Sequence, residues 1–138
     1  MNRWGEIIVV DDDPDDIDII REVYSSLPFE NRLVLFHDGE EAYSYLKKSD
    51  SHPFLILSDI NMPRMNGLEL RDKVLNDASV TKRIIPFILL STAADQETLK
   101  KYCQKSFQGY FEKKSDISAI RSMLENIIRY WKSAIPSF

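Results

Sequence analysis

Five short apolar runs divide the chain at fairly regular intervals. They lie at residues 6–10, 32–36, 54–58, 86–90 and 109–112. Four of the five are almost continuously apolar rather than alternating, which is typical of strands that are covered on both faces, as in a parallel sheet. The sequence therefore predicts five strands, most of them in the interior of a sheet.

Between these runs, apolar residues recur at the spacing of one helix face. The groups are Ile17, Ile20 and Tyr24; Ala42, Tyr45 and Leu46; Leu68, Val74 and Leu75; and a longer stripe of Ile117, Ile120, Leu124, Ile127, Ile128 and Trp131. Turn and cap residues support this division. Pro14 can occupy a first helical turn, and Asp38-Gly39 can form a turn after the second strand. Asp95 and Ser115 are suited to cap the helices that follow them.

Strands that alternate with helices predict right-handed crossovers and an open, doubly wound α/β sheet. We expect the flavodoxin-like form of this fold, with five parallel strands in the order 2-1-3-4-5 and five helices. The 138 residues are enough for one hydrophobic core, and no linker or low-complexity tract interrupts them. We therefore expect a single domain over residues 1–138, with a core from about 6 to 132 and no output domain.

Composition and charge argue against several classes of partner. No apolar run approaches the roughly 20 residues that a membrane span needs, and the first residues lack the features of a signal peptide, so we expect a cytoplasmic protein with no membrane partner. The net charge is −4, and residues 1–69 carry 6 basic and 15 acidic side chains. With a pI near 5.2 and no aromatic residues among Lys100, Lys101 and Lys105, nucleic-acid binding is not expected.

Polar side chains follow the predicted strands at the carboxyl edge, where open α/β sheets bind ligands. These residues are Asp11 to Asp13, His37 and Asp38, Asp59 to Asn61, Ser91 and Thr92, and Lys113 and Lys114. Neighbouring carboxylates remain ionised only beside positive charge, and Mg²⁺ is commonly held by one or two carboxylates and a phosphate. A hydroxyl and a lysine could hold the remaining phosphoryl oxygens. The pattern predicts a magnesium and phosphoryl site, with Asp59 as the candidate acceptor.

Four motifs together resemble the receiver domain of two-component response regulators. They are VVDD at 9–12, SDINMPRMNG at 58–67, LLSTA at 89–93 and GYFEK at 109–113, in the order and spacing of that family. Each motif alone is a weak signal, but four of them on successive strand ends are specific. The resemblance extends from residue 6 to about 132. It is strongest to stand-alone receivers that begin with an acidic run, including those paired with bacterial phytochromes.

The resemblance implies a role for each residue of this edge. Asp59 would accept a phosphoryl group from a phosphohistidine, carried by a sensor histidine kinase or a histidine phosphotransfer protein. Asp12 and Asp59 would bind Mg²⁺ directly. Asn61 would bind it through its backbone carbonyl, and Asp11 would act through a metal-bound water. Lys113 would bridge the phosphoryl oxygens and Asp11.

The same resemblance implies the parts of a switch. By its position, Ser91 would bond the phosphoryl group, although its neighbour Thr92 remains an alternative. Tyr110 matches the aromatic residue whose rotation reports phosphorylation. Gly67 matches the turn after the acceptor, where glycine would permit a backbone conformation that other residues resist. Lys114 departs from the family, which usually has a cis-proline there; because a cis bond at a non-proline residue costs ~3 kcal/mol, we expect a trans bond.

The function implied is a phosphorylation-dependent switch that signals through protein–protein contacts. Such a protein would catalyse at most its own phosphorylation and dephosphorylation. A homodimer through the face of the fourth helix, fifth strand and fifth helix is a further expectation. A shuttle in a phosphorelay and a chemotaxis-like regulator of a target protein both remain open.

Two other functions and a simpler interpretation stand beside this one. A haloacid dehalogenase-type phosphatase would use Asp11 and Asp13 as its Asp-x-Asp motif, but it leaves Asp59 unexplained. A receiver-like module that binds partners without phosphorylation would have no need for the acidic residues that are all present. Asp13, Asp15 and Asp16 are expected only to favour the positive end of a helix dipole.

Overall fold

The computed structural model describes residues 1–92, 95, 97, 99 and 110–135. Within this part of the chain, five parallel strands form one sheet in the order β2-β1-β3-β4-β5. The strands are β1 (Glu6–Val10), β2 (Leu33–Phe36), β3 (Pro53–Asp59), β4 (Phe87–Ser91) and β5 (Tyr110–Glu112). The predicted strand order is confirmed. Asp59 and Ser91 are the last residues of their strands, so the register itself brings them to the carboxyl edge.

Helices cover both faces of the sheet. The described helices are α1 (Pro14–Ser25), α2 (Gly39–Leu46), α3 (Gly67–Leu75), the single turn α4 (Ala78–Thr81) and α5 (Ile117–Ser133). Successive residues of β1 point to opposite faces. Ile7 and Val9 pack in the core under α1 and α5, while Ile8 and Val10 pack in the core under α2 and α3. The doubly wound arrangement is therefore as predicted.

Side-chain caps begin each of the longer helices. Asp13 caps α1 and places Pro14 in its first turn, as predicted. Asp38, which was predicted only as a turn residue, caps α2. The cap of α5 is Asp116 and not Ser115 as predicted, because the Asp116 carboxylate accepts a hydrogen bond from the backbone N–H of Ala119. A carboxylate at the cap satisfies an otherwise unpaired donor and also favours the helix dipole.

The helix that Asp95 was expected to cap lies largely outside the described residues; the carboxylate of Asp95 accepts a hydrogen bond from the backbone N–H of Thr92, three residues earlier, at 2.7 Å. The structure corrects two details of the sequence interpretation. Leu75 and Ile117 were placed on buried helix faces, but they are 42% and 51% exposed. Both lie at helix ends, where the periodic face extends beyond the edge of the sheet.

The short strand β5 lies at the edge of the sheet, as the predicted order requires, and its residues are exposed. The helix expected between β4 and β5 lies largely outside the described residues, and so do Lys100, Lys101 and Lys105. None of the helices in the described part of the chain is long and apolar enough to cross a lipid bilayer.

Candidate functional site

Three acidic side chains meet at the carboxyl edge of the sheet. Asp11 and Asp12 follow β1, and Asp59 ends β3, which pairs with β1. One carboxylate oxygen from each of the three lies within 4.8 Å of the others. Asp11 and Asp59 are buried, at 1% and 6% exposure, whereas Asp12 is exposed. The structure therefore brings together the carboxylates that the sequence predicted, in a cluster of oxygen donors suited to a hard divalent cation.

Lys113 supplies the positive charge of the cluster. Its Nζ lies 3.0 Å from Asp11 Oδ2 and 3.4 Å from Asp59 Oδ2. The residue follows β5 directly, and its backbone N–H donates to the carbonyl oxygen of Ser91 at 2.7 Å. This hydrogen bond continues the pairing of β4 and β5 by one residue. It fixes the backbone of Lys113 at the rim of the site.

Asp16 also belongs to this site, and the sequence interpretation missed it. Its Oδ2 lies 2.8 Å from Lys113 Nζ, the shortest of the three carboxylate distances to that atom. Asp13 and Asp15 do lie at the start of α1 as predicted. Helical spacing could have distinguished Asp16, because this residue lies four positions before the buried Ile20 and therefore on the same face of α1.

Burial and charge set the protonation of the cluster. Burial raises the pKa of Asp59 to about 6, with Lys113 opposing this rise and the charge of Asp11 adding to it. Burial likewise raises the pKa of Asp11. Burial alone would lower the pKa of Lys113, but its contacts with Asp16, Asp59 and Asp11 outweigh this effect and raise the pKa. Lys113 therefore stays cationic, and the buried carboxylates remain short of compensating charge.

This electrostatic imbalance predicts that Asp59→Asn stabilises the metal-free protein near neutral pH. The pKa of Asp59 rises from 3.8 unfolded to about 6 folded. Ionisation of Asp59 therefore opposes folding at pH values above 3.8, with a cost of about 3 kcal/mol at neutral pH. Urea unfolding of both proteins in chelator should show this gain in the free energy of unfolding near neutral pH.

The gain should shrink as the pH falls through about 6 and vanish only well below 3.8, where the parent carboxyl is protonated in both states. Asp12→Asn removes an exposed carboxylate of the same cluster and should change the stability little. A pH-independent effect of Asp59→Asn, or a loss of stability at neutral pH, would contradict the prediction.

The two neighbouring hydroxyl residues have different surroundings. Ser91 is 1% exposed, and its Oγ has no hydrogen-bond partner among the described residues. Thr92 is exposed, and its hydroxyl donates to Asp95 Oδ2 at 3.1 Å. A buried hydroxyl without a partner costs free energy, whereas the hydroxyl of Thr92 is already engaged. Ser91 is thus the one of the pair that is available to a ligand of the site.

Asp95 links the loop after β3 to the end of β4. It is 1% exposed, and its carboxylate accepts hydrogen bonds from the side-chain amide of Asn61 and from the backbone N–H of Thr92. Sequence analysis treated Asp95 only as a helix cap. Its role as a bridge depends on a loop-to-loop contact, and no local pattern in the sequence predicts such a contact.

Gly67 is required for a different reason from the one expected. Its backbone φ is not in the left-handed region; Arg64 takes that conformation in this turn, with φ of 65°. A Cβ at Gly67 would lie 2.2 Å from the backbone oxygen of Asp59. The N–H of Gly67 also donates to the carbonyl oxygen of Ile60 at 2.9 Å. Glycine is needed here because α3 begins in direct contact with the end of β3.

The remaining predicted residues lie around the rim. Tyr110 opens β5 and is 46% exposed. The described residues contain no cis peptide bond, so the bond between Lys113 and Lys114 is trans, as expected. His37, which follows β2, is exposed, and so is His52.

The sheet order and the acidic cluster at its carboxyl edge are those of a receiver. The family model of the response regulator receiver domain matches residues 7–125. The chain therefore belongs to the response regulator receiver domain family. Receivers of this family act in phosphorylation-dependent two-component signalling, in which they interact with histidine kinases.

Individual proteins support this assignment. Response regulator Rcp1 of Synechocystis is 22% identical over 134 residues, covering 94% of this chain and 90% of Rcp1. The phosphorylated cyanobacterial phytochrome response regulator RcpA superposes with a TM-score of 0.81 and 26% identity, covering 96% of both chains. The receiver domain of a sensor histidine kinase from Pseudomonas aeruginosa, with a magnesium ion coordinated in its active-site cleft, gives a TM-score of 0.74 and 23% identity, covering 94% of this chain and 98% of that one.

Proposed function

We propose that this chain is a phosphorylation-dependent switch whose phosphoacceptor is Asp59. The supporting observation is the joint placement of three carboxylates and one ammonium group at a single sheet edge. Asp59 belongs to this carboxylate cluster, is buried and lies at the tip of the central strand. Lys113 Nζ lies 3.4 Å from Asp59 Oδ2. The phosphoryl donor would be a phosphohistidine on a sensor histidine kinase or a histidine phosphotransfer protein.

The same residues fit a magnesium ion. Asp12 and Asp59 would bind it directly, Asn61 through its backbone carbonyl, and Asp11 through a bound water. All of these donors are oxygens, as Mg²⁺ requires, and burial leaves the negative charges of Asp11 and Asp59 poorly solvated, which raises the pKa of both carboxyls. Bound Mg²⁺ would neutralise that charge and polarise the phosphoryl oxygens.

In the transfer step, a carboxylate oxygen of Asp59 attacks the phosphorus of the phosphohistidine. The new P–O bond forms as the P–N bond breaks, and the imidazole nitrogen keeps the electron pair of the broken bond. Because the pKa of Asp59 is about 6, its carboxylate is largely ionised at neutral pH and is available as the nucleophile. Lys113 would stabilise the negative charge that spreads over the phosphoryl oxygens.

Ser91 is the best candidate for the hydroxyl that senses the phosphoryl group. Its buried, unpartnered Oγ would gain an acceptor when Asp59 carries about −1.5 to −2 additional charge. Movement of Ser91 toward the phosphoryl group would then let Tyr110, now 46% exposed, turn inward. Output would pass through the face of the helix predicted between β4 and β5, β5 itself and α5, either to a partner or to a second copy of the chain.

Intact-mass spectrometry after incubation with acetyl phosphate and Mg²⁺ tests this function. The parent protein should gain one phosphoryl group, and Asp59→Asn should gain none, because its amide is not a nucleophile at this step. Asp13→Asn is the matched control. It removes the charge of an exposed aspartate next to Asp12, and asparagine remains a good cap for α1. It should be phosphorylated like the parent.

Other outcomes would favour the alternatives. A covalent phosphoryl group that survives Asp59→Asn but is lost in Asp11→Asn would indicate the phosphatase-type nucleophile. A parent protein that gains no phosphoryl group from acetyl phosphate or from a phosphorylated histidine donor would indicate a binding module that works without phosphorylation.

A further inference from the structure

Lys113 is held more closely by α1 than by the acceptor. Its Nζ lies 2.8 Å from Asp16 Oδ2, 3.0 Å from Asp11 Oδ2 and 3.4 Å from Asp59 Oδ2. The contact with Asp16 is a hydrogen bond, whereas Asp11 and Asp59 pair with the ammonium group by charge. Asp16 is therefore one of three anchors that fix where this cation points.

An anchor matters here because Lys113 has open space on one side. A cavity of about 260 Å³ lies between α1 and α5 next to the site. Asp16 and Lys113 line it together with apolar residues such as Ile20, Ile120 and Leu124. A lysine side chain is long and flexible, so without a partner on α1 its ammonium group could turn away from the acceptor toward this space or toward solvent.

We propose that Asp16 is a positioning residue for the phosphoryl group: it accepts a hydrogen bond from Lys113 Nζ on the side of α1 and so keeps the ammonium group close to Asp11 and Asp59. This inference rests on the proposed function of Asp59 as the phosphoacceptor. Asp16 makes no direct contact with the phosphoryl group in this arrangement. Its effect on phosphoryl binding passes entirely through the orientation of Lys113.

A simpler role for Asp16 is to stabilise the N-terminus of α1 by its charge alone. Asp15 tests that interpretation, because it lies in the same first turn, carries the same charge and is exposed without a described contact to Lys113. A dipole effect would be shared by both aspartates. The contact with Lys113, in contrast, is made by Asp16 and not by Asp15.

The test compares Asp16→Ala, Asp16→Asn and Asp15→Ala by titrating beryllofluoride, a phosphoryl mimic, at saturating Mg²⁺ in a calorimeter. Both Asp16 variants lose the same negative charge, but asparagine keeps an oxygen that can accept from Lys113. The asparagine variant should therefore bind beryllofluoride about fivefold to tenfold more tightly than the alanine variant, as expected for the net contribution of one hydrogen bond. Asp15→Ala should remain within about twofold of the parent.

A second measurement tests the contact between Asp16 and Lys113 in protein without Mg²⁺ or beryllofluoride. In protein labelled with ¹⁵N-lysine, the side-chain ammonium signal of Lys113 should be protected from exchange in the parent and in Asp16→Asn, and broadened or lost in Asp16→Ala. Equal beryllofluoride affinities for the alanine and asparagine variants, or unchanged protection of Lys113 in both, would overturn the role of Asp16. Failure of the parent to bind beryllofluoride would instead overturn the proposed function.

Discussion

Lys113→Met is expected to destabilise the metal-free protein by about 3 kcal/mol, because removing one partner of a buried ionic cluster leaves the others uncompensated. Asp11 and Asp59 are nearly inaccessible to water, and Lys113 is the cation that contacts both. Methionine keeps most of the length and the apolar stem of lysine, so the change isolates the charge. Urea unfolding in the presence of chelator measures the loss.

Lys114→Met is the matched control for this substitution. Lys114 is the next residue, its side chain is 44% exposed, and its ion-pair distance to Glu112 is 3.9 Å. Exposed pairs of this kind contribute little, so its removal should cost less than about 1 kcal/mol. Combining Lys113→Met with Asp59→Asn should recover much of the lost stability, since it removes one of the unpaired charges. Equal effects of the two lysine substitutions would show that the cluster does not depend on Lys113.

Gly67→Ala is expected to cost about 3 kcal/mol of stability, at the upper end for the insertion of one methyl group into a packed position. The added Cβ would lie 2.2 Å from the backbone oxygen of Asp59, and 3.0 Å from its backbone carbon. Neither atom belongs to a flexible side chain, so β3 and α3 would have to separate. The same shift would displace the acceptor carboxylate, and the rate of phosphorylation by acetyl phosphate should fall along with the thermal midpoint.

Gly39→Ala provides a direct comparison, because Gly39 also opens a helix and is also buried. There the nearest atom to an added Cβ is the Sδ of Met65, at 2.9 Å. A methionine side chain can move, so this substitution should cost less than about 1 kcal/mol and leave phosphorylation intact. If Gly67→Ala were as well tolerated as Gly39→Ala, the close approach of α3 to β3 would not limit this position.

The sequence predicted the sheet more accurately than it predicted the surroundings of individual side chains. Asp59, Asp11 and Asp12 could be placed at one edge because parallel strands must end on the same side of the sheet. The apolar residues of β1 alternate between two cores, as continuous burial on both faces requires. Both inferences depend on the period of the backbone, which a linear pattern contains.

Predictions failed where two distant segments meet. Gly67 was expected to adopt a backbone conformation that other residues resist, but Arg64 is the residue of this turn with a positive φ. The reason for glycine at position 67 is its close approach to Asp59, which only the packing of α3 on β3 reveals. Asp16 was expected only to interact with the dipole of α1. In the structure it binds Lys113, which lies 97 residues further along the chain. The contact of Asp95 with Asn61, which joins two loops, was not predicted at all.

The amino-acid order alone determined the alternation of strands and helices, the edge at which chemistry can occur and the kinds of side chain gathered there. These properties follow from periodicity and from the fixed direction of parallel strands. Tertiary structure alone decided which carboxylate holds Lys113, which hydroxyl is left without a partner and why glycine must begin α3. Those outcomes depend on distances of a few ångströms between segments that are remote in sequence, and such distances are set only when the whole core packs.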